Sequence, residues 1–283
     1  MQQPRILVVG AGKLGLPLAQ RLTGSFPTAV LSRNPPAASG LLSIAADVTR
    51  PEALVDLPSS LELVVYSVAP GRFDEAAYRD LYVTGLENLL RALQQNSLKR
   101  ILFVSSTGVY HQNDDSWVDE TSPTDPTAFS GRCILEAEEY LCRAGVPHTV
   151  IRFSGIYGGD RTRLLEQILA GEIDPSLAGP YTNRIHEEDC IGILEHLVRL
   201  SMTGQPLQDC YLASDSEPVP ISTIVRWVEE QVGPIRLQPS AGPAPGRAGS
   251  KRCCNRRLLE SGYRFRYPSF REGYQALLER LKA

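Results

Sequence analysis

Residues 10–15 read Gly-Ala-Gly-Lys-Leu-Gly, a spacing that lets a backbone turn close against a pair of phosphates. They follow the apolar run Arg5–Val9, read as a buried strand, and open an amphipathic stretch, Leu14–Leu22, read as a helix. In that context Gly10 permits the tight turn and Gly12 lets the main chain approach a pyrophosphate. Gly15 lets the helix pack closely on the strand. The helix start, with Lys13 and Leu14 in its first turn, presents free N–H groups and a positive dipole end to the anion.

A second strand, Thr28–Ser32, ends in Leu31-Ser32-Arg33-Asn34. A dinucleotide site selective for NAD carries a carboxylate about 20 residues after the glycines, to bind the ribose 2′-hydroxyl. This strand end has none. Arg33 can pair with a 2′-phosphate through its planar fork, and Ser32 can add a hydrogen bond. The expected cofactor is therefore NADP, with NAD the lesser choice.

The rest of the first half alternates apolar runs with amphipathic stretches. Further strands are expected over Leu42–Ala45, Glu62–Ser67, Arg100–Ser105 and Thr149–Phe153, and helices over 75–95 and Ile134–Ala144. Such alternation predicts an α/β fold: a Rossmann-type doubly wound parallel sheet covered on both faces. The second half is less regular. Helices are expected over Leu164–Ala170, Cys190–Leu200, Ser222–Val232 (Ser222 as N-cap) and Phe270–Leu281, a short strand over Cys210–Ala213, and a surface loop over 238–249. The expected division is residues 1–155 as the NADP-binding domain and 156–283 as mainly a small substrate lobe, with some segments returning to the sheet.

The net charge of -3 offers no basic excess for nucleic acid. No secretory signal or bilayer-spanning run is evident, so a cytoplasmic protein is expected. The six cysteines lack zinc-site spacing and read as buried free thiols, and no metal is expected. The basic run 251–257 reads as a solvated face.

Several further motifs resemble the extended short-chain dehydrogenase/reductases, the relatives of sugar-nucleotide epimerases and dehydratases. The resemblance covers nearly the whole chain. Asp47-Val48 matches that family's adenine-contacting acidic residue. Tyr66-Ser67-Val68-Ala69 matches the segment lining the cofactor after the fourth strand. Tyr82–Leu90 is similar to the family helix of the form Tyr-x-x-Asn-Val-x-Gly-x-x-Asn-Leu-Leu. Arg100–Tyr110 is close to the fifth-strand motif and implies Ser106 as the catalytic serine. Arg152–Gly158 resembles the loop beside the nicotinamide, and Asn183–Asp189 the segment preceding a substrate-domain helix.

The chain departs from the family in the Tyr82–Leu90 motif, where Thr84 replaces the usual Asn or neighbouring small residue, and more consequentially at the catalytic pair. Where the resemblance puts a Tyr-x-x-x-Lys pair, the sequence reads Phe129-Ser130-Gly131-Arg132-Cys133. The tyrosine would exchange a proton with the substrate oxygen, and the lysine would lower its pKa and hold the ribose. Phe129 has no proton to give, and Arg132 is no donor at neutral pH. Ser106, Tyr110, His111 and Tyr157 lie in segments expected near the nicotinamide and are the candidates to supply it; Ser106, Tyr110 and Tyr157 are carried forward. Arg161, Arg163 and Arg184 could bind a phosphate or carboxylate of a substrate.

The leading expectation is an NADP-dependent oxidoreductase or epimerase-like enzyme acting on a small polar or sugar-nucleotide-like substrate. The alternative is a non-catalytic NADP(H)-binding redox sensor or regulator. An acceptor such as a quinone, which needs no strong enzyme acid, is a third way to accommodate Phe129. Family resemblance implies a homodimer through the 75–95 and Ile134–Ala144 helices.

Overall fold

The computed structural model describes residues 3–37, 40–94, 98–177, 179–243 and 249–282. Gln95, the last residue of the expected long helix, and 244–248 of the expected loop lie outside them. Seven strands form the central sheet: β1 (Ile6–Val9), β2 (Thr28–Ser32), β3 (Leu42–Ala45), β4 (Leu63–Tyr66), β5 (Arg100–Ser106), β6 (His148–Phe153) and β7 (Cys210–Ala213), in the spatial order β3-β2-β1-β4-β5-β6-β7. The sheet is parallel. The reversal of strand order beside β1 is the switch point of a doubly wound fold, and ligands in such sheets sit beyond the carboxyl ends of the strands. β1 and β4 are buried along their whole length, as their continuous apolar runs require, while β3 is an exposed edge.

Two compact units divide the chain. One comprises residues 1–109, 124–152 and 191–211, and the other 110–123, 153–190 and 212–283. In the first, α1 (Gly15–Thr23) buries Leu18, Ala19 and Leu22. The expected helix over 75–95 is three pieces: α2 (Glu75–Arg79), a π-turn over Asp80–Thr84, and α3 (Gly85–Ala92). The π-turn has an identifiable cause. The fully buried Tyr66 Oη donates to the Leu81 carbonyl at 2.6 Å, and a Cβ on Gly85 would come within 2.8 Å of that same oxygen. A phenol inserted into the carbonyl ladder widens one turn. The helix expected from Ile134 extends back to Phe129, making α4 Phe129–Ala144. Its first turn holds Gly131, where a Cβ would overlap the Gly108 carbonyl oxygen. That close approach holds the helix start against the end of β5.

In the second unit, α5 (Arg163–Leu169), α7 (Ile221–Val232) and α9 (Phe270–Lys282) close around Leu165, Ile168, Ile224, Val228, Phe270 and Tyr274; α8 is Arg256–Glu260, and most of α6 (Glu187–Met202) belongs to the first unit. Gly155–Tyr157 pairs in parallel with Arg184–His186. Three expectations are corrected. Ser222 does not cap α7: the residue at the cap is Pro220, and no side chain bonds the free amides. The run 251–257 is not uniformly a solvated face, because Lys251 is 2% exposed and Arg252–Cys253 pairs with Trp117–Val118. All six cysteines are free, but only Cys133, Cys190 and Cys253 are buried; Cys142 is exposed.

Candidate functional site

The glycine turn follows β1 directly. Gly10 has φ +101, and a Cβ there would overlap the Ser67 carbonyl oxygen, so the turn folds tightly onto the segment after β4. Its amide donates to the Leu31 carbonyl at 2.8 Å, tying it to β2. A Cβ on Gly12, by contrast, would meet nothing within 4 Å. The space in front of Gly12 is open, as a site for a pyrophosphate requires. α1 begins at Gly15 with no capping side chain and no acidic residue in its first turn. Its amide donors are therefore not claimed by a local carboxylate.

At the carboxyl end of β2, Ser32 Oγ is buried without a hydrogen-bond partner among the described residues. Arg33 beside it is exposed and acts electrostatically on Asp47. Burial acts to raise the Asp47 pKa, but hydrogen bonds from Thr49 and the charges of Arg33 and Arg50 hold it below the usual carboxylate range. Val48 is buried, and its carbonyl accepts from Asn88 Nδ2 at 3.1 Å. Ser67 and Val68 are buried behind Gly10, and Ala69 is exposed. The orphaned Ser32 hydroxyl, the open face of Gly12 and the uncapped α1 together fit a dinucleotide. Ser32 and Arg33 would hold its adenosine end and the Gly10–Gly15 turn its phosphates.

Beyond β5, Ser106 Oγ accepts from the Gly108 amide at 3.0 Å and is half-buried. Its neighbour Ser105 is buried and donates to Glu138, which pairs with Arg152 at 2.6 Å. The α4 start packs here through Gly131. Phe129 and Cys133 occupy the two positions where the resemblance implies tyrosine and lysine. Arg132 is committed elsewhere, to the Thr127 carbonyl and to Glu75. Three rings meet at Phe129: Phe73, which is 73% exposed, lies 4.9 Å away between centroids, and Tyr78 lies 5.5 Å away. The sequence reading missed Tyr78. Its signal was the four-residue spacing to Tyr82, which puts both phenols on one helix face.

In the second unit, Tyr110 Oη donates to the Asp119 carbonyl at 2.7 Å. Tyr157 is 2% exposed, packs on Tyr274 at 4.7 Å, and donates to the Ser269 carbonyl at 3.4 Å. Burial pushes its phenol far above the usual range. His111 is exposed. Arg161 is paired with Glu187 at 2.8 Å and Arg163 is exposed, while Arg184 Nε is buried without a partner among the described residues. Asp215, 1% exposed, also has an unpartnered carboxylate oxygen. Burial pushes its pKa up to about 8. Burial pulls His186 down to about 4, and its Nδ1 accepts from the Glu188 amide at 3.2 Å, as a neutral ring must.

An open glycine turn on a doubly wound parallel sheet defines a dinucleotide-binding α/β protein. The NAD(P)H-binding family matches residues 10–176, and the chain belongs to that family. It is of the NAD-dependent epimerase/dehydratase type. A structure from Methylobacillus flagellatus, named for the NAD-dependent epimerases/dehydratases, is 37% identical over the full length of both chains, with a TM-score of 0.82. Protein YeeZ of Escherichia coli K12 is 28% identical over 280 residues, covering 93% of this chain and 96% of YeeZ. The Bordetella bronchiseptica enzyme WbmG, solved with NAD and UDP, shares the fold at a TM-score of 0.78 and 22% identity, covering 99% of this chain and 96% of WbmG. Among the described residues, no helix is long and apolar enough to cross a membrane.

Proposed function

We propose that this chain is an NADP(H)-dependent oxidoreductase or epimerase-like enzyme acting on a small polar or sugar-nucleotide-like substrate. One observation carries the cofactor choice: the buried, unpartnered Ser32 hydroxyl stands beside Arg33 at a strand end without a carboxylate. A 2′-phosphate satisfies both groups, whereas a bare 2′-hydroxyl leaves the arginine unused. When bound, the cofactor supplies hydride chemistry at the carboxyl end of the sheet.

In this reading Gly10, Gly12, Lys13, Leu14 and Gly15 hold the phosphates, and Ser32, Arg33, Asp47 and Val48 the adenosine. Ser67, Val68 and Ala69 form the wall behind. Ser106 orients the reacting substrate oxygen, because among the described residues its Oγ accepts from the Gly108 amide and donates to none, keeping its own proton available. Tyr110 and Tyr157, whose hydroxyls donate to backbone carbonyls, would have to release those bonds to act. The unpartnered Arg184 Nε favours an anionic group on the substrate, which agrees with the UDP found in WbmG. Six free cysteines suit a reducing, cytoplasmic compartment.

The second reading, a non-catalytic NADP(H)-binding regulator, is favoured by Phe129 at the acid position. Fluorescence titration with NADPH and, separately, NADH tests both. Tight, NADPH-selective binding supports the cofactor site and opens a screen of carbonyl acceptors. Absence of binding by either nucleotide overturns both readings.

A further inference from the structure

Loss of a tyrosine from α4 leaves the question of which group donates a proton at the end of β5. The tyrosines around this end of the first unit differ in what their hydroxyls do. Tyr66 donates to Leu81 and Tyr82 to the Val68 carbonyl at 3.3 Å. Tyr78 makes no hydrogen bond among the described residues, and it is half-buried rather than sealed.

Its position is fixed from several sides. α2 is docked on α4 by Arg79–Glu136 at 2.7 Å and Arg132–Glu75 at 3.6 Å. Asp74 caps α2 by accepting from the Ala77 amide at 2.9 Å. The Tyr78 ring stands edge-on to Phe129, at an interplanar angle of 88°, and edge-on to Phe73 at 87°. It also stacks obliquely on Tyr82, 5.6 Å away. Cys133 lies close enough to act on it electrostatically. A phenol with an uncommitted hydroxyl is thus held against both departed positions of the Tyr-x-x-x-Lys pair, on a different helix.

We propose that Tyr78 is a catalytic residue, supplying from α2 the proton that Phe129 cannot supply from α4. This assignment rests on the NADP(H)-dependent reading above. In the reducing direction a bound reduced nicotinamide would supply hydride to the carbonyl carbon of the substrate. The carbonyl π pair takes the Tyr78 phenolic proton, and water reprotonates the phenolate. The phenol is neutral at pH 7, because burial and then the Cys133 sulfur raise its pKa, so the proton is present to give. With NADP+ bound and its cationic ring beside this phenol, the phenolate would be favoured and its ionisation constant raised by about tenfold or more.

The test is a near-ultraviolet phenolate titration of the full chain with and without NADP+, in wild type and Tyr78→Phe, alongside NADPH binding by fluorescence. The phenylalanine keeps all the ring contacts, so nucleotide binding should be unchanged. The expected result is one phenolate step moved down by about tenfold or more in ionisation constant on adding NADP+, missing from Tyr78→Phe. Nucleotide binding without a Tyr78-dependent step overturns the assignment and leaves the cofactor reading standing. Loss of nucleotide binding in Tyr78→Phe makes the residue structural and likewise overturns it. Failure of wild type to bind any nucleotide overturns the cofactor reading and this assignment together.

Discussion

Tyr78 and Phe129 meet edge to face, with ring centroids 5.5 Å apart and planes at 88°. One ring has no hydroxyl where the family resemblance implies one. The other, on the adjoining helix, has a hydroxyl that no carbonyl claims among the described residues.

The glycine turn separates folding from binding. Gly12→Ala adds a methyl group where nothing lies within 4 Å, so stability should stay within about 0.5 kcal/mol. NADPH affinity should nevertheless fall tenfold or more, because the methyl group occupies the phosphate's approach. Gly10→Ala, at φ +101 and against Ser67, should cost about 1–3 kcal/mol of stability. Thermal melts and fluorescence titrations of both variants check this; equal behaviour of the two would refute it.

Arg33→Asp should reverse the nucleotide preference. Loss of a charge-assisted contact, about 1.5–3 kcal/mol, corresponds to roughly tenfold to a hundredfold weaker NADPH binding. NADH binding should hold or improve, because aspartate can accept from the ribose hydroxyls. Parallel losses for both nucleotides would remove Arg33 from the site.

Asp215 predicts an alkaline weakness. Its pKa is raised to about 8, so the folded state holds a proton that the unfolded chain has released above about 4. Stability from this group is full below about 4, falls steadily as pH rises from about 4 to about 8, and is lost above that. The burial is opposed by a hydrogen bond from the Glu217 amide and by Arg184, and reinforced by the charges of Glu217 and Glu272, and Tyr157, Tyr274 and Cys253 also feel its charge. His186 works the other way: neutral down to about 4 in the fold, it removes stability as pH falls below about 6.5. Between about 6.5 and 8 the Asp215 slope is therefore clear of His186, near 1.4 kcal/mol per pH unit at most. Asp215→Asn should flatten the denaturant-unfolding profile over that range. An unchanged slope would show that the carboxyl is ionised in the fold.

Arg152 and Glu138 are 10% and 6% exposed at their side chains and carry Ser105 with them. Arg152→Met leaves Glu138 buried without its cation and should cost about 3–5 kcal/mol. Adding Glu138→Leu should recover much of that loss, since the penalty lies in the unpaired charge. Urea unfolding of the singles and the double closes the cycle; additive losses would contradict the pairing.

Much of the sheet was legible because its signals are local. Continuous apolar runs such as Ile6–Val9 have only one stable destination, between two layers, and β2, β3 and β7 fall where their runs begin and end. The glycine spacing likewise carries its geometry within six residues. The missing Tyr-x-x-x-Lys pair was also visible in the chain itself.

What the sequence did not disclose depends on groups far apart in the chain. The π-turn exists because Tyr66 reaches Leu81 from another strand, which no periodicity over 75–95 records. α4 starts at Phe129 because Gly131 must lie against Gly108, so a residue of poor helix propensity is selected by contact. Lys251 is buried beside the Arg252–Cys253 strand, which pairs with Trp117–Val118 far back in the chain. Tyr78 became a candidate only when docking of α2 on α4 set its ring against Phe129 and left its hydroxyl unclaimed. Local covalent order determined the strands, the phosphate turn and the empty acid position. Tertiary packing decided which polar atoms were satisfied, and therefore which remained available for chemistry.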